Sequence, residues 1–468
     1  MFPLAITLGL YSYSIFFLGI LHLLTKTNII LITIPFAFWL FNKLKNYLGQ
    51  LGKLGQLEIK DRILLILIIV QLSVNLIGAL GPEIGFDALW YHLTLPKIWL
   101  QRQAMIFIPS AQFKYSVMPM LTEMFYFIFP GKLIHYLFGI LTLIVTYKIS
   151  RSMLAVVILS SNLVFGWQST SAYIDLARTF FEIMALYMFT RNKIYKSAIM
   201  LGLAASTKLL AFESLPIFWL LIWIKTKSLK YIIHYSLFML LVISPWLLRS
   251  YITTGNPFYP FFSPLYTDTH ISLDPRNLLN LLTHAVDPIH PIYLFTLLLL
   301  LFTITKLSPK LKLITLYSLL SLILWIPTPN TGGGRFILPY LPALSIVAAS
   351  LASKRKILIF FSIFYSLFSI SYRAAANLKY LQPKEQLLSS NLAFDFGDYY
   401  DFDHFFKDSD KVLPIGINNL FYLNAYIATP WENFDYLLVR GQLPAEYQNW
   451  KLVLQNDITD TQIYAPLR

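Results

Sequence analysis

At 468 residues, 57% of them hydrophobic and 13% charged, the chain is too apolar for an ordinary soluble protein, which carries about 25% charged residues. Its net charge of +14 would suggest a nucleic-acid partner in a soluble protein, but here the basic residues cluster in short connections between apolar runs, which is a topology signal. Cysteine is absent, which excludes a disulfide framework and leaves the redox compartment open.

The apolar runs are long enough to cross about 30 Å of hydrocarbon, so the chain reads as a polytopic α-helical membrane protein. The first run, 3–24, lacks a basic start and a small-residue cleavage site, and is expected to be a retained span. Further spans are expected at 27–42, 62–80, 132–148, 152–168, 171–190, 197–210, 211–224, 229–249, 289–305, 311–326, 336–352 and 356–372, about thirteen in all. The connections 43–62, 148–151, 191–196, 225–230, 306–312 and 354–356 are rich in Lys and Arg, and with these spans all fall on one side. The positive-inside rule makes that side cytoplasmic. The N-terminus is then inside. Loops 81–131, 250–288 and 327–335 lie outside, with everything after 373.

The expected organisation is therefore a transmembrane unit, 1–373, and a small extracytoplasmic α/β domain, 374–468. The tail holds 12 of the 23 carboxylates, and FDYLLVR and NWKLVLQ read as short strands between turn signals.

Before residue 374 there are eleven carboxylates, so each can be weighed. Glu83 and Asp87 lie in GPEIGFDALWYHLTLPKIWL. Asp87 opens an aromatic helix on which it shares a face with Tyr91 and Thr94. It is either a helix N-cap or a general base toward an acceptor hydroxyl. Lys97, Arg102 and Lys114 follow; they either bind a phosphate or diphosphate or snorkel to headgroups. His92 reads as a hydrogen-bonded interfacial residue. Tyr115, Pro119 and Glu123 place another carboxylate on an apolar segment, where an unpaired charge is expensive.

In SAYIDLARTFFEIMAL, Asp175, Arg178 and Glu182 share a helix face; Arg178 with Glu182 reads as an internal ion pair, and Asp175 as a site candidate. Lys208, in GLAASTKLLAFES, either snorkels or reaches a phosphate, with small residues nearby that allow close helix approach. Arg249 and Arg335 stand at outer boundaries, Arg335 after three glycines that let a ligand approach the backbone. No zinc-type cluster, P-loop or GxSxG element is present.

The order FDALWYHLTLPKIW, AYIDLARTFFEIMAL, LGLAASTKLLAFESLP, SPWLLRSYITTGNPFYPF and RFILPYLPAL resembles bacterial membrane glycosyltransferases of the GT-C superfamily, the class of protein O-mannosyltransferases and lipid A aminoarabinose transferases. The resemblance covers residues 60 to 350. It implies a polyprenyl-phosphate-linked sugar donor and transfer on the outer face of the cytoplasmic membrane to a lipid, glycan or protein acceptor. It implies a catalytic carboxylate in the first large outer loop, matching Asp87, with Lys208, Arg249 and Arg335 as donor-phosphate residues. Two departures stand out: Glu83 and Asp87 are not adjacent, and Arg178 sits in a stretch usually apolar. They leave the need for a divalent cation, Mg or Mn, open. The rival readings are a transporter or flippase of lipid-linked glycans, which would show inverted repeats and midplane charges, and an O-antigen ligase or polymerase.

Overall fold

The computed structural model describes residues 1–48, 58–110, 112–265, 273–283, 285, 287–328, 334–392, 405–456 and 459–467. Asp268, one of the carboxylates weighed above, lies outside the described residues.

The helices run in chain order as α1 Phe2–Ile20, α2 Lys26–Leu48, α3 Ile59–Leu80, α4 Thr94–Arg102, α5 Gly131–Ser150, α6 Met153–Ser160, α7 Leu163–Gln168, α8 Asp175–Thr190, α9 Ile194–Thr207, α10 Ser214–Thr226, α11 Leu229–Thr254, α12 Arg276–Thr283, α13 Ile292–Thr303, α14 Pro309–Trp325, α15 Leu341–Ala352, α16 Lys356–Asn377 and α17 Lys384–Leu392. Among the described residues, six helical stretches are long and apolar enough to cross a membrane: Phe2–Ile20, Ile59–Leu80, Gly131–Ser150, Leu209–Thr226, Leu229–Thr254 and Lys356–Leu381. Ile292–Lys306 and Leu338–Ala352 are shorter apolar helices.

Of the about thirteen expected spans, these six meet the length and apolarity of a crossing helix, and most of the others coincide with shorter or broken helices. The 152–168 run shows why. It is split into α6 and α7 at Ser161-Asn162. The Asn162 amide donates to the carbonyls of Ile158 and Leu159 and to the Tyr293 hydroxyl, and its Oδ1 accepts the His290 N–H at 2.8 Å. A side chain that satisfies the last carbonyls of one helix ends it, while apolarity continues unbroken through the sequence.

At the centre stands α8, buried on every side apart from its last turn. A helix that is apolar all round belongs inside a bundle, and α8 packs between α5 and α9. Two of its three buried ionisable groups meet each other: Arg178 Nε donates to Glu182 Oε1 at 2.5 Å. Close approach of α9 and α11 depends on Gly202, where a Cβ would stand 2.8 Å from the Met239 carbonyl and 2.6 Å from Val242 Cβ. The periphery is different. Phe38, Phe41, Leu241, Leu301, Phe302 and Phe360 are all exposed, the composition expected of a lipid-facing belt.

The C-terminal segment forms a five-stranded mixed sheet, β1 Lys411–Ile415, β2 Tyr426–Ile427, β3 Tyr436–Arg440, β4 Lys451–Asn456 and β5 Thr461–Ala465, in the order β2-β1-β3-β5-β4. β1 pairs in parallel with β2 and β3, and β5 is antiparallel to β3 and β4. Alternation divides its faces. Val412 and Leu438 join the core of the helical bundle, whereas Leu413, Leu437 and Val439 pack with Phe434, Tyr447 and Trp450 on the other side.

The sheet region docks on α4 by polar bonds. Lys97 donates to the carbonyls of Phe421, at 2.9 Å, and Leu423. Gln101 exchanges bonds with Ala425 O and Ile427 N. Arg102 reaches Ile427 O at 2.7 Å and Glu432 Oε2 at 2.5 Å. Hydrogen bonds to charged groups contribute about 1.5–3 kcal/mol each. Arg102→Ala is therefore expected to loosen the sheet from α4 and raise its protease sensitivity about tenfold, leaving the helices protected; an unchanged cleavage rate would contradict this docking role.

Candidate active site

The segment between α3 and α5 begins with a clamp. Glu83 accepts backbone N–H bonds from Ile84 at 2.8 Å and Gly85 at 2.7 Å through Oε1, and from Ala172 through Oε2. The Tyr422 hydroxyl donates to the Glu83 carbonyl at 2.8 Å and Lys132 to the Pro82 carbonyl at 2.9 Å. Burial pushes the Glu83 carboxyl up, against Lys132 and the three amides, which pull it down. Glu83 is thus occupied in holding the loop against the turn that precedes α8.

The chain then makes a π-helical turn, Ala88–His92, preceded by Asp87. Asp87 makes no capping bond there. Its carboxylate faces Arg335 instead, Oδ2 to Nη2 2.7 Å, with both side chains partly exposed to one cavity. This answers the N-cap alternative with geometry: the carboxylate points away from the helix that it begins.

The cavity measures about 250 Å³ and is lined by Asp87, Tyr91, His92, Glu123, Lys208 and Arg335 among others. Lys208 sits where α9 gives way to a 3₁₀ turn, in an extended conformation. It pairs with Asp175 Oδ1 at 2.6 Å and lies 4.5 Å from the Phe336 ring centre. Arg335 is flanked by the rings of Tyr173 and Phe336, each 5.1 Å away. Burial opposes the Arg335 charge, but Asp87 and then Asp175 outweigh it and hold the guanidinium above its usual range. Two cations and Asp87 thus line one space, with Asp175 paired to Lys208 beside it, from segments 88, 33 and 127 positions apart in chain order: Asp87 to Asp175, Asp175 to Lys208, Lys208 to Arg335.

A third pair lines the same cavity. His92 Nδ1 and Glu123 Oε1 are 2.7 Å apart and almost wholly buried. Burial raises the Glu123 carboxyl to about 8 and drives His92 well below its usual range. The sign of the stability effect follows. Folding holds a proton on Glu123 up to about pH 8, so above the ordinary value of 4.5 each rise in pH favours the unfolded chain. Below 6.5 the neutral His92 acts the other way, because the unfolded histidine takes up a proton. Thermal stability is expected to fall between pH 6.5 and about 8. Glu123→Gln should remove that decline; melting curves on either side of the window test this, and an equal slope in the variant would refute it.

The remaining sequence candidates fall elsewhere. Lys97 and Arg102 are engaged by the C-terminal segment, as described, and line no part of the cavity. Lys114 lies 5.5 Å from the Tyr115 ring and 3.5 Å from the Leu265 carbonyl. Arg249 is buried against the Trp99 ring and donates to the Met105 and Ile106 carbonyls. Sequence reading overlooked Tyr173 and Phe336. Each adjoins a residue singled out or nearly so, but a ring that sandwiches a guanidinium has no spacing signal in a chain with 29 Tyr and 37 Phe. Among the described residues, no group of three or more His, Asp or Glu is placed to hold a metal ion.

No family model and no curated protein matches the chain. Solved structures of ArnT from Cupriavidus metallidurans do match. The apo form aligns with a TM-score of 0.58 and 13% identity, covering 86% of this chain and 97% of that one. The form bound to undecaprenyl phosphate aligns with a TM-score of 0.56, again at 13% identity, covering 86% of this chain and 98% of that one. Over 86% of its length the chain therefore shares the fold of ArnT.

Proposed function

We propose that the protein is a GT-C-type membrane glycosyltransferase that takes a sugar from a polyprenyl-phosphate donor. The observation that carries this reading is the meeting of Asp87, Arg335 and Lys208 at one cavity, in a chain with the fold of a protein solved with undecaprenyl phosphate bound.

The reaction runs as follows. The polyprenyl chain lies in the membrane and its phosphate reaches the cavity. Arg335 turns from Asp87, and Lys208 from Asp175, to the phosphate oxygens; charge-assisted bonds to phosphate are the stronger kind. The bond between the anomeric carbon and the phosphate oxygen breaks, its electron pair stays on the phosphate, and the two cations stabilise that charge. The acceptor hydroxyl attacks from the opposite side, its proton passes to Asp87, and the anomeric configuration inverts.

The cavity opens on the face that carries the 81–130 loop. The basic connections lie at the other ends of the helices, which by the positive-inside rule supports reading the loop face as the outer face of a cytoplasmic membrane. The tail from 374, through its contacts with α4, forms an outer module that shapes the entrance for a lipid, glycan or protein acceptor. Charge pairs gathered at one face favour transfer over transport, which calls for a midplane site.

Removal of one phosphate-binding cation tests the donor assignment. Arg335→Ala and Lys208→Met should each lower kcat/KM for a polyprenyl-phosphate sugar by about 10–100-fold, the equivalent of about 1.5–3 kcal/mol. The assay follows release of polyprenyl phosphate by the reconstituted protein. Release at the native rate by both variants would remove the cations from the reaction. No release from any polyprenyl-phosphate sugar by the native protein would reject the donor class.

A further inference from the structure

The face opposite the 81–130 loop has a cavity of its own. α10 reaches this face at Thr226, and α14 leaves it at Pro309. Between them lies a cleft of about 520 Å³, against about 250 Å³ for the cavity at Asp87. Lys225, Lys310 and Lys312 are exposed along it, and among the described residues no carboxylate lines it. Leu221 and Ile224 precede Lys225 on α10, and Leu313 and Leu316 follow Lys312 on α14. Leu221 is buried, Leu313 and Leu316 are half-buried and Ile224 is exposed, so the apolar wall runs from the lysines along the helices.

Two of the lysines are positioned by side-chain contacts. Lys310 donates to the Ile149 carbonyl at 2.7 Å. Lys225 donates to Asn192 Oδ1 and lies 4.9 Å from the centre of the Phe189 ring. An ammonium has three N–H donors, so each retains capacity for an anion. Arg151 and Arg191 act on Lys310 electrostatically and add to the positive potential. Beyond Lys310 a smaller cavity of about 370 Å³ is lined by Ser150, Ser152, Ser308, Ser350 and Ser353. Ser152 and Ser308 cap α6 and α14, so two helix N-termini turn their positive ends toward it.

We propose that the cleft between α10 and α14 binds an anionic phospholipid of the phosphatidylglycerol type. An acyl chain lies along Leu221, Ile224, Leu313 and Leu316. The phosphate meets the three ammonium groups, and the glycerol headgroup reaches the serine-lined cavity. Charge complementarity selects this occupant. A rim of lysines without a carboxylate has no internal counter-ion and matches an anionic headgroup, while a zwitterionic choline headgroup would bring its own cation against it.

The test uses the intact protein in nanodiscs of phosphatidylcholine with graded phosphatidylglycerol, and native mass spectrometry of the lipid retained on transfer to mild detergent. The native protein should retain phosphatidylglycerol in preference. Each lysine near an anionic headgroup favours binding by about fivefold, so the double variant Lys225→Gln, Lys312→Gln should lower that preference by about 25-fold. Melting in phosphatidylcholine alone checks its fold. Should that melting change, Lys225→Arg with Lys312→Arg supplies the second measurement and must keep the preference. Equal retention of the two lipids, an unchanged preference in the glutamine variant, or displacement of the lipid by millimolar glycerol 3-phosphate would each overturn the proposal.

Discussion

Asp87→Asn is expected to lower kcat for sugar transfer by about 10²–10⁴-fold, the range for loss of a general base, while the KM for the polyprenyl donor changes little. The argument rests on what asparagine keeps. Its shape matches, and its carbonyl oxygen can still accept from Arg335, which lies 2.7 Å from the native carboxylate. It cannot accept the proton of the acceptor hydroxyl. It also holds Arg335 less firmly, so donor phosphate meets no greater competition for the guanidinium. A fall in kcat with steady KM is the pattern of an interaction made in the transition state alone. Steady-state kinetics on the reconstituted protein give the answer. Native kcat in a folded Asp87→Asn protein would remove Asp87 from the base role, and a loss confined to KM would reassign it to positioning.

The second large effect concerns the interior. Arg178 has no exposed side-chain surface and neither has Glu182, its partner at 2.5 Å. The same guanidinium donates to the Leu210 carbonyl at 3.1 Å and the Tyr340 hydroxyl at 3.3 Å, and Glu213 stands 3.7 Å away. Ser214 completes the shell with a bond to Glu182 Oε2. Arg178→Ala removes the guanidinium that faces Glu182 and leaves that enclosed carboxyl without its partner, at a cost of about 3–5 kcal/mol. Arg178→Leu combined with Glu182→Leu removes both charges and should recover most of that loss, because a buried ion pair can be replaced by packed apolar groups at little net cost. Chemical unfolding of the purified variants measures both. A loss below about 1 kcal/mol in the single variant would show that the pair is not the counterbalanced unit described here. The cluster adjoins the site through Tyr340 and the 3₁₀ turn after Lys208, so the single variant should also disturb Lys208, whereas the double variant should do so less.

Composition and apolar periodicity determined the class of this protein. With 13% charged residues the chain has no way to wet its surface, and the burial of α8 beside the exposed apolar periphery follows from that. The scarcity of carboxylates made the site partly readable as well: in an apolar chain each ionisable group must have a partner or a role, which is why Asp87, Asp175, Lys208 and Arg335 could each be picked out singly. Their pairing could not. Asp87 and Arg335 are separated by 248 positions, and no local pattern states that one will neutralise the other. Lys97 and Arg102 show the converse. Their charge and position suited a phosphate, yet their acceptors are mostly backbone carbonyls between Leu420 and Ile427, and a carbonyl is present at every residue and so has no signature in sequence. The break inside the 152–168 run was illegible for a related reason, since Asn162, which ends α6, is held by Tyr293 and His290. Hydrophobicity is additive along a chain, so it can be read in order. Hydrogen bonds and ion pairs depend on distances between remote segments, and those distances exist only once the helices have packed.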